Sequence, residues 1–440
     1  MALFKDFSFY KGTVERYNLI TILTAAIYAV VYDYIIREYL FVEWEYMLRY
    51  DYHNMDASIY SLYIIICIIP LFFYKGFKEI ASIISIFSYI FVYVPFMNTL
   101  FVAGFPSEMS IVYVVFFLIA QILFFKTDTM HYGRQLLKGN KTISFKTFEI
   151  FCILSFLFTV LTNLSKLHFV NIFTNDGSSM MYDLRVENGV NSYLCDWLKN
   201  VFIPILIVCY LKMGNYKKFA LAFSAMVVIF MLDMQKITFI MPFIITALFY
   251  VYKTYPRGYM NYFHIYMLVA LMIIPLSVIM VNSEIYQSIA AILIMRTQCV
   301  GGRQFAAYFD CFEVQNNPYT YFSHISFVNN LTGAYPYNVP IGYVVSQTDA
   351  NSNANYFLMD GIAGAGIFGC VLVAMLFIVF KSYINSVGDH IDKGLCSIIL
   401  LYSLSMLMNV SLFTALLTGG FIVFFLVCKY VDLSILNNNQ

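Results

Sequence analysis

The chain has 440 residues, of which 61% are hydrophobic and only 12% charged, with a mean hydropathy of +0.74. A soluble protein of this length carries roughly twice that share of charge, so a soluble globular protein is excluded, and a formal net charge of +1 says nothing in favour of nucleic acid. A membrane span takes about 20 mostly apolar residues, and the chain repeats that unit from end to end. It reads as an all-α polytopic membrane protein, with residues 1–440 forming a single integral membrane domain.

The first apolar run, 17–36, follows Lys5, Lys11 and Arg16. It is too long for a signal h-region and lacks a small-residue cleavage site, so it is expected to stay as an anchor. Further spans are predicted at 58–74, 79–102, 109–125, 148–165, 193–211, 217–232, 237–254, 262–282, 360–381, 394–409 and 411–428, about 12 in all. The seventh and eighth are nearly continuous, separated by the tight turn Asp233-Met234-Gln235-Lys236. The last two part near Asn409-Val410-Ser411. With the N-terminus inside, most of the 26 Lys and Arg fall on the cytoplasmic side, as the positive-inside rule requires. Both termini are then cytoplasmic, and one long segment, 283–359, faces out.

That outer segment is the main interruption of the apolar pattern, and a loop this long is functional or disordered. It is rich in Tyr, Phe and Ile, which argues against disorder. Residues 284–299 read as a helix, the pair Gly301-Gly302 breaks or kinks it, and 303–315 is helical again up to Asn317-Pro318. A third amphipathic piece, 319–330, carries His324, and Tyr335-Pro336-Tyr337 is extended. Such short helices are of the kind that lie along a membrane surface.

The nine cysteines form no CxxC and no Cys/His cluster. Cys67, Cys152, Cys209, Cys370, Cys396 and Cys428 lie in apolar runs and read as small hydrophobes. Cys299 and Cys311 fall in the long segment and would pair only in an oxidising space. No metal-ligand cluster or nucleotide-binding fingerprint is present. Arg185, Lys236, Arg296 and Arg303 are outer-face cations that the positive-inside bias disfavours. Arginine's planar fork suits phosphate oxygens, while the competing reading pairs each with a nearby carboxylate, Arg303 with Asp310 for example. His324 has the chemistry of a general base and equally that of a hydrogen-bonded structural histidine. Asp310 and Glu313 share a helix face. Gly361, Gly364, Gly366 and Gly369 open the tenth span and read as close-packing positions.

Several stretches occur together in a known pattern. Tyr182-Asp183-Leu184-Arg185 precedes Gly189 and a span, and a helix pair comes next with Lys236 at its turn. In the long segment Arg303 starts an aromatic helix with Phe305, Tyr308, Phe309 and Phe312. Then come Asn317-Pro318, Phe322-Ser323-His324, Tyr335-Pro336-Tyr337, Asn353-Ala354-Asn355 and Asp360-Gly361. Over about 165–430 the chain resembles the O-antigen polymerase (Wzy-type) family of Gram-negative inner membranes. It departs from that pattern at Asp233-Met234-Gln235, where small or glycine residues are commoner.

The resemblance implies a GT-C-like, metal-independent glycosyltransferase without a cofactor, in the bacterial inner membrane. It joins oligosaccharide repeat units carried on undecaprenyl pyrophosphate at the periplasmic face. Its implied partners are the lipid-linked oligosaccharides, membrane lipids, a chain-length regulator and a flippase. Arg185, Lys236, Arg296 and Arg303 would then neutralise the pyrophosphate leaving group. His324, with Asp310 as substitute, would take the acceptor hydroxyl's proton. Asn353, Asn355, Tyr335 and Tyr337 would contact sugars. Two other readings stay open: a polysaccharide flippase or other transporter, and an O-antigen ligase. Against a transporter stand the single large outer segment, the missing internal repeat and an expected scarcity of buried charge, with Asp33 the clearest charge inside a span.

Overall fold

A computed structural model describes residues 13–41, 50–132, 141–168, 189–281, 300–346, 358–388 and 391–437. Among these there is no strand, only an isolated bridge between Ile143 and Val431. Nine of the described helices are long and apolar enough to cross a membrane. This is the architecture of a multi-pass α-helical membrane protein. The remaining three expected spans are also helical, but Ala57–Phe73 is short, Tyr216–Asp233 carries charges at both ends, and the eleventh is split into Lys393–Ile399 and Leu401–Leu407.

We number the helices in chain order. The first half contains α1 (Thr13–Ile35), α2 (Ala57–Ile68), α3 (Ile80–Ser88), α4 (Val94–Val102), α5 (Ser107–Lys126) and α6 (Phe145–Thr162). It continues with α7 (Val190–Trp197), α8 (Ile203–Lys212), α9 (Tyr216–Asp233), α10 (Lys236–Thr254) and α11 (Pro256–Met280). The long segment contributes α12 (Val300–Phe309), α13 (Ser326–Thr332) and α14 (Ile341–Ser346). The remainder is α15 (Met359–Gly388), α16 (Lys393–Ile399), α17 (Leu401–Leu407), α18 (Leu412–Leu417) and α19 (Phe421–Tyr430).

Two spans form the centre of the bundle: Ile80–Val102 and Val190–Lys212 are almost wholly buried. Around the first, tyrosine hydroxyls donate to carbonyls of neighbouring helices: Tyr89 to Cys67 and Tyr93 to Ile66, both at 2.8 Å. A hydroxyl with no water to bond must find such an acceptor, so these tyrosines fix which helices are neighbours. Side-chain caps set several helix starts, where Ser144, Asn215 and Asp392 accept the amides of Thr147, Lys218 and Leu395. The six cysteines read as hydrophobes are all buried.

The last span is interrupted between α18 and α19, where Gly420 has φ +84° and packs on Val201. Breaking a helix frees carbonyls that lipid cannot satisfy. Here Trp197 Nε1 donates to Leu417 and Asn200 Nδ2 to Thr418, each at 2.9 Å. The break is therefore capped from the junction of α7 and α8, which widens into a π turn at Leu198–Phe202.

The long segment differs from the sequence expectation. Its first described helix, α12, does not lie along the surface. It sits against α4 and α5, with Phe305 stacked on Phe96 at 4.4 Å and Phe309 4.6 Å from Phe105. Both glycines of Gly301-Gly302 lie inside α12, and the 284–299 stretch that they were expected to end or kink lies outside the described residues. A Cβ on Gly302 would come 2.6 Å from Thr99 Oγ1 and 3.4 Å from the Pro95 carbonyl. The glycines thus let α12 settle on α4, and the aromatic face of α12 is packed inside the bundle.

Candidate active site

After α12 the chain makes a π turn, Asp310–Val314, and then an irregular run that zips onto the start of α15. The start of α15 is not a straight helix. Gly366 has φ +58° and ψ −136°, so the turn Met359–Gly364 folds back over the rest of α15. Residues eight apart on a straight helix are about 12 Å apart. Here Gly361 and Gly369 touch backbone to backbone: a Cβ on Gly369 would lie 2.1 Å from the Gly361 carbonyl oxygen. The close-packing reading of these glycines holds, with the difference that the chain packs on itself.

The folded-back turn leaves its carbonyls without helical partners, and the 319–324 run supplies them. Thr320 N donates to Ala363 O at 2.8 Å and Tyr321 N to Gly364 O at 2.9 Å. The Phe322 ring fills the space over Gly364, where a Cβ would approach it to 2.8 Å. Tyr319 donates its hydroxyl to Glu313 at 3.1 Å, and both press against Gly366. Burial, then the Glu313 charge, push the Tyr319 phenol up to about 12.

His324 lies in the turn before α13 rather than in a helix spanning 319–330, because Tyr321 (φ +45°) and Phe322 (φ +65°) occupy the left-handed region. Each such non-glycine residue costs on the order of 1–3 kcal/mol, and such strain clusters at functional sites. The imidazole is 4% exposed. Its Nδ1 is 2.6 Å from Thr320 Oγ1, and its Nε2 is 3.3 Å from Oδ1 of the fully buried Asp360. Thr320 Oγ1 is also 3.0 Å from Ala363 O.

One hydroxyl hydrogen cannot serve both of those contacts. If it points to Nδ1, a neutral His324 donates Nε2–H to the Asp360 carboxylate. If it points to Ala363 O, Nδ1 is the donor and one further proton bridges Nε2 and Asp360. The two states differ by one proton and a hydroxyl rotation, with no heavy atom displaced. The arrangement can therefore hold one more proton without a heavy atom moving; a general base must also turn one of these two engaged nitrogens toward a substrate hydroxyl.

Asp310 is half-buried in the π turn and accepts from Gln315 Nε2 at 2.6 Å. Arg303 is half-buried on α12. Tyr337 donates its hydroxyl to Pro318 O at 2.6 Å, and Tyr335 donates to Val339 O at 2.9 Å. These two rings, 5.7 Å apart, brace the loop after α13, and burial pushes the Tyr337 phenol up to about 12. Arg185, Arg296, Asn353 and Asn355 lie outside the described residues, as does Cys299; Cys311 is buried. Among the described residues no three His, Cys, Asp or Glu side chains converge on one point.

Lys236 opens α10 beside a second polar cluster. The preceding Met234 takes φ +56° in the turn, the conformation for which glycine is usual at a helix C-terminus. That explains how the turn closes without the small residues common at this place. Behind it, fully buried Lys199 reaches Asp196 at 2.7 Å and Asp233 at 2.9 Å. Thr238 donates to Asp233 at 2.6 Å and lies 2.8 Å from the Tyr402 hydroxyl. A third cluster joins Lys381 to Asp128 at 2.9 Å and Ser85 at 2.6 Å. Buried Asp33 accepts from Tyr52 and Asn98. The expected scarcity of buried charge is thus overturned. Lys199 and Asp196 stand inside an apolar run, where an ionisable residue marks a site by default; that was the sequence signal for them. Asp360 was visible as part of a motif, but its contact with His324 was not.

Comparison of the chain with protein-family models, with curated proteins and with solved structures finds no match in any of the three.

The fold-back yields a direct test. Gly369→Ala should destabilise the protein by about 1–3 kcal/mol, the usual range for overpacking, because its Cβ meets backbone at Gly361. Gly258→Ala, whose nearest neighbour would be 3.5 Å away, should be neutral or slightly stabilising. Thermal unfolding in detergent reads both, and equal midpoints for the two variants would refute the packing argument.

Proposed function

We propose that the protein is an O-antigen polymerase of the bacterial inner membrane, GT-C-like, with 12 spans, both termini cytoplasmic and residues 283–359 in the periplasm. It joins oligosaccharide repeat units carried on undecaprenyl pyrophosphate. The observation that carries this reading is the His324–Thr320–Asp360 arrangement, buried at the head of an apolar helix and able to take up one proton. The resemblance of the 303–361 motifs to that family supports it as well.

In the reaction, the acceptor sugar's hydroxyl oxygen forms a bond to the anomeric carbon of the growing chain. The bond from that carbon to the lipid pyrophosphate breaks, and the pyrophosphate leaves with the electron pair. The hydroxyl proton passes to His324, which Asp360 orients; Asp310 is the alternative acceptor. Arg303 and Lys236, with Arg185 and Arg296, offset the charge on the leaving group. Tyr335, Tyr337, Asn353 and Asn355 contact the sugars. A chain-length regulator and a flippase are the partner proteins this role calls for.

Arg303→Ala and Lys236→Ala are expected to abolish chain extension while the protein stays in the membrane. Wild-type polymer length from both variants would defeat the assignment. A transporter is the second reading, favoured by Lys199 held between two carboxylates inside a span. A gel of surface lipopolysaccharide from a deletion strain separates them: loss of a polymerase leaves one repeat per core, whereas loss of a flippase or of a ligase leaves none.

A further inference from the structure

The run from Val314 to Thr348 contains no Asp, Glu, Lys or Arg. An extramembrane loop in water has no reason to lack charge over such a length. It also exposes large apolar side chains: Tyr321 is 72% exposed, Phe327 72% and Leu331 71%. Phe327 and Leu331 are four apart on α13 and so share a face. The loop is tied to the start of an apolar helix, since Tyr321 N bonds Gly364 O at 2.9 Å. Phe368, four residues beyond Gly364, is 81% exposed on that helix. Four residues reach at most about 14 Å, so the Tyr321 end of the ridge lies near the exposed apolar side of that helix.

We infer that α13 and the flanking run from Tyr321 lie in the interfacial layer of the bilayer, with Tyr321, Phe327 and Leu331 inserted among the lipids. An uncharged surface of aromatic and leucine side chains, with Asn329, Asn330 and Thr332 alongside, suits the headgroup–acyl boundary, where tyrosine is enriched. A protein partner would be recognised by charge or by a shaped groove, and this ridge offers no charge. The consequence is positional. His324, three residues from both Tyr321 and Phe327, is held at headgroup depth, where the phosphate of a membrane-anchored substrate lies. The lipid contact itself does not depend on the reaction proposed above.

Nitroxide labels at Phe327→Cys and Leu331→Cys test this in nanodiscs of phosphatidylethanolamine and phosphatidylglycerol. Cys299 is replaced by serine in every variant; the eight other cysteines are buried and stay unlabelled. Thr142→Cys, at an exposed position between two predicted spans, is the water reference. Labels at 327 and 331 should collide with oxygen several-fold more than with a soluble nickel chelate, and the label at 142 should show the reverse. Chelate-dominated collisions at 327 and 331 would place the ridge in water and overturn the inference. Shielding from both reagents would place protein over it and overturn it equally.

Discussion

Lys199→Met is expected to be the most destabilising single change outside the backbone contacts, by about 3–5 kcal/mol. The ammonium is fully buried between Asp196 and Asp233. Removing it leaves two carboxylates facing each other without a counter-charge in a region that water does not reach. The effect is not simple addition of lost contacts, because a buried pair contributes little net stability while a broken one exposes its full desolvation cost. Two companion variants make the argument checkable. Asp196→Asn should cost far less, since Lys199 keeps Asp233 and the cluster loses a surplus negative charge. Adding Asp196→Asn and Asp233→Asn to Lys199→Met should recover most of the loss. Thermal unfolding of the purified variants in detergent reads all three. A Lys199→Met protein as stable as wild type would mean that the cluster is open to water.

On the polymerase reading proposed above, His324→Ala is expected to lower the rate of joining lipid-linked repeat units by about 10²–10⁴-fold, the usual contribution of a general base. KM for the donor should change little, because the imidazole binds no part of the pyrophosphate in this scheme. Asp360→Asn keeps the shape of the residue and removes its charge, so its expected effect is on the same step. As a positioning residue it should lower kcat by up to about 10⁴-fold with donor KM unchanged, in the manner of a carboxylate that holds a histidine in its working tautomer. Thr320→Val removes the hydroxyl that rotates between Nδ1 and Ala363 and should fall with Asp360→Asn rather than with wild type. Full turnover by His324→Ala would assign the base to Asp310, and a rise in donor KM alone would make His324 a binding residue.

The helices were largely legible in the chain. Each predicted span corresponds to helix, because a stretch of about 20 apolar residues in lipid has no other way to satisfy its backbone. The turn at Asp233–Lys236 was legible from the charge alone, and the break near Asn409 from a polar run. Less legible were the places where the chain folds back on itself. Gly361 and Gly369 announced close packing without saying against what, and the answer is each other. Gly301-Gly302 read as a break, and Gly302 also serves as a docking position for α12 on α4, since a glycine's permission to bend and its permission to approach are the same missing Cβ.

The sequence by itself determined that this protein is a multi-pass helical bundle with one long aromatic-rich segment between its spans, and it singled out His324 by residue type. Hydrophobic run length and charge are local properties, so they are written locally. Only the tertiary structure decided that His324 meets Asp360, thirty-six positions away, and that Lys199 lies between Asp196 and Asp233. Those meetings depend on a reversed turn at Gly366 and on a π turn at Leu198–Phe202. Each shifts the direction of every side chain after it, and neither is marked by any periodicity in the residues themselves.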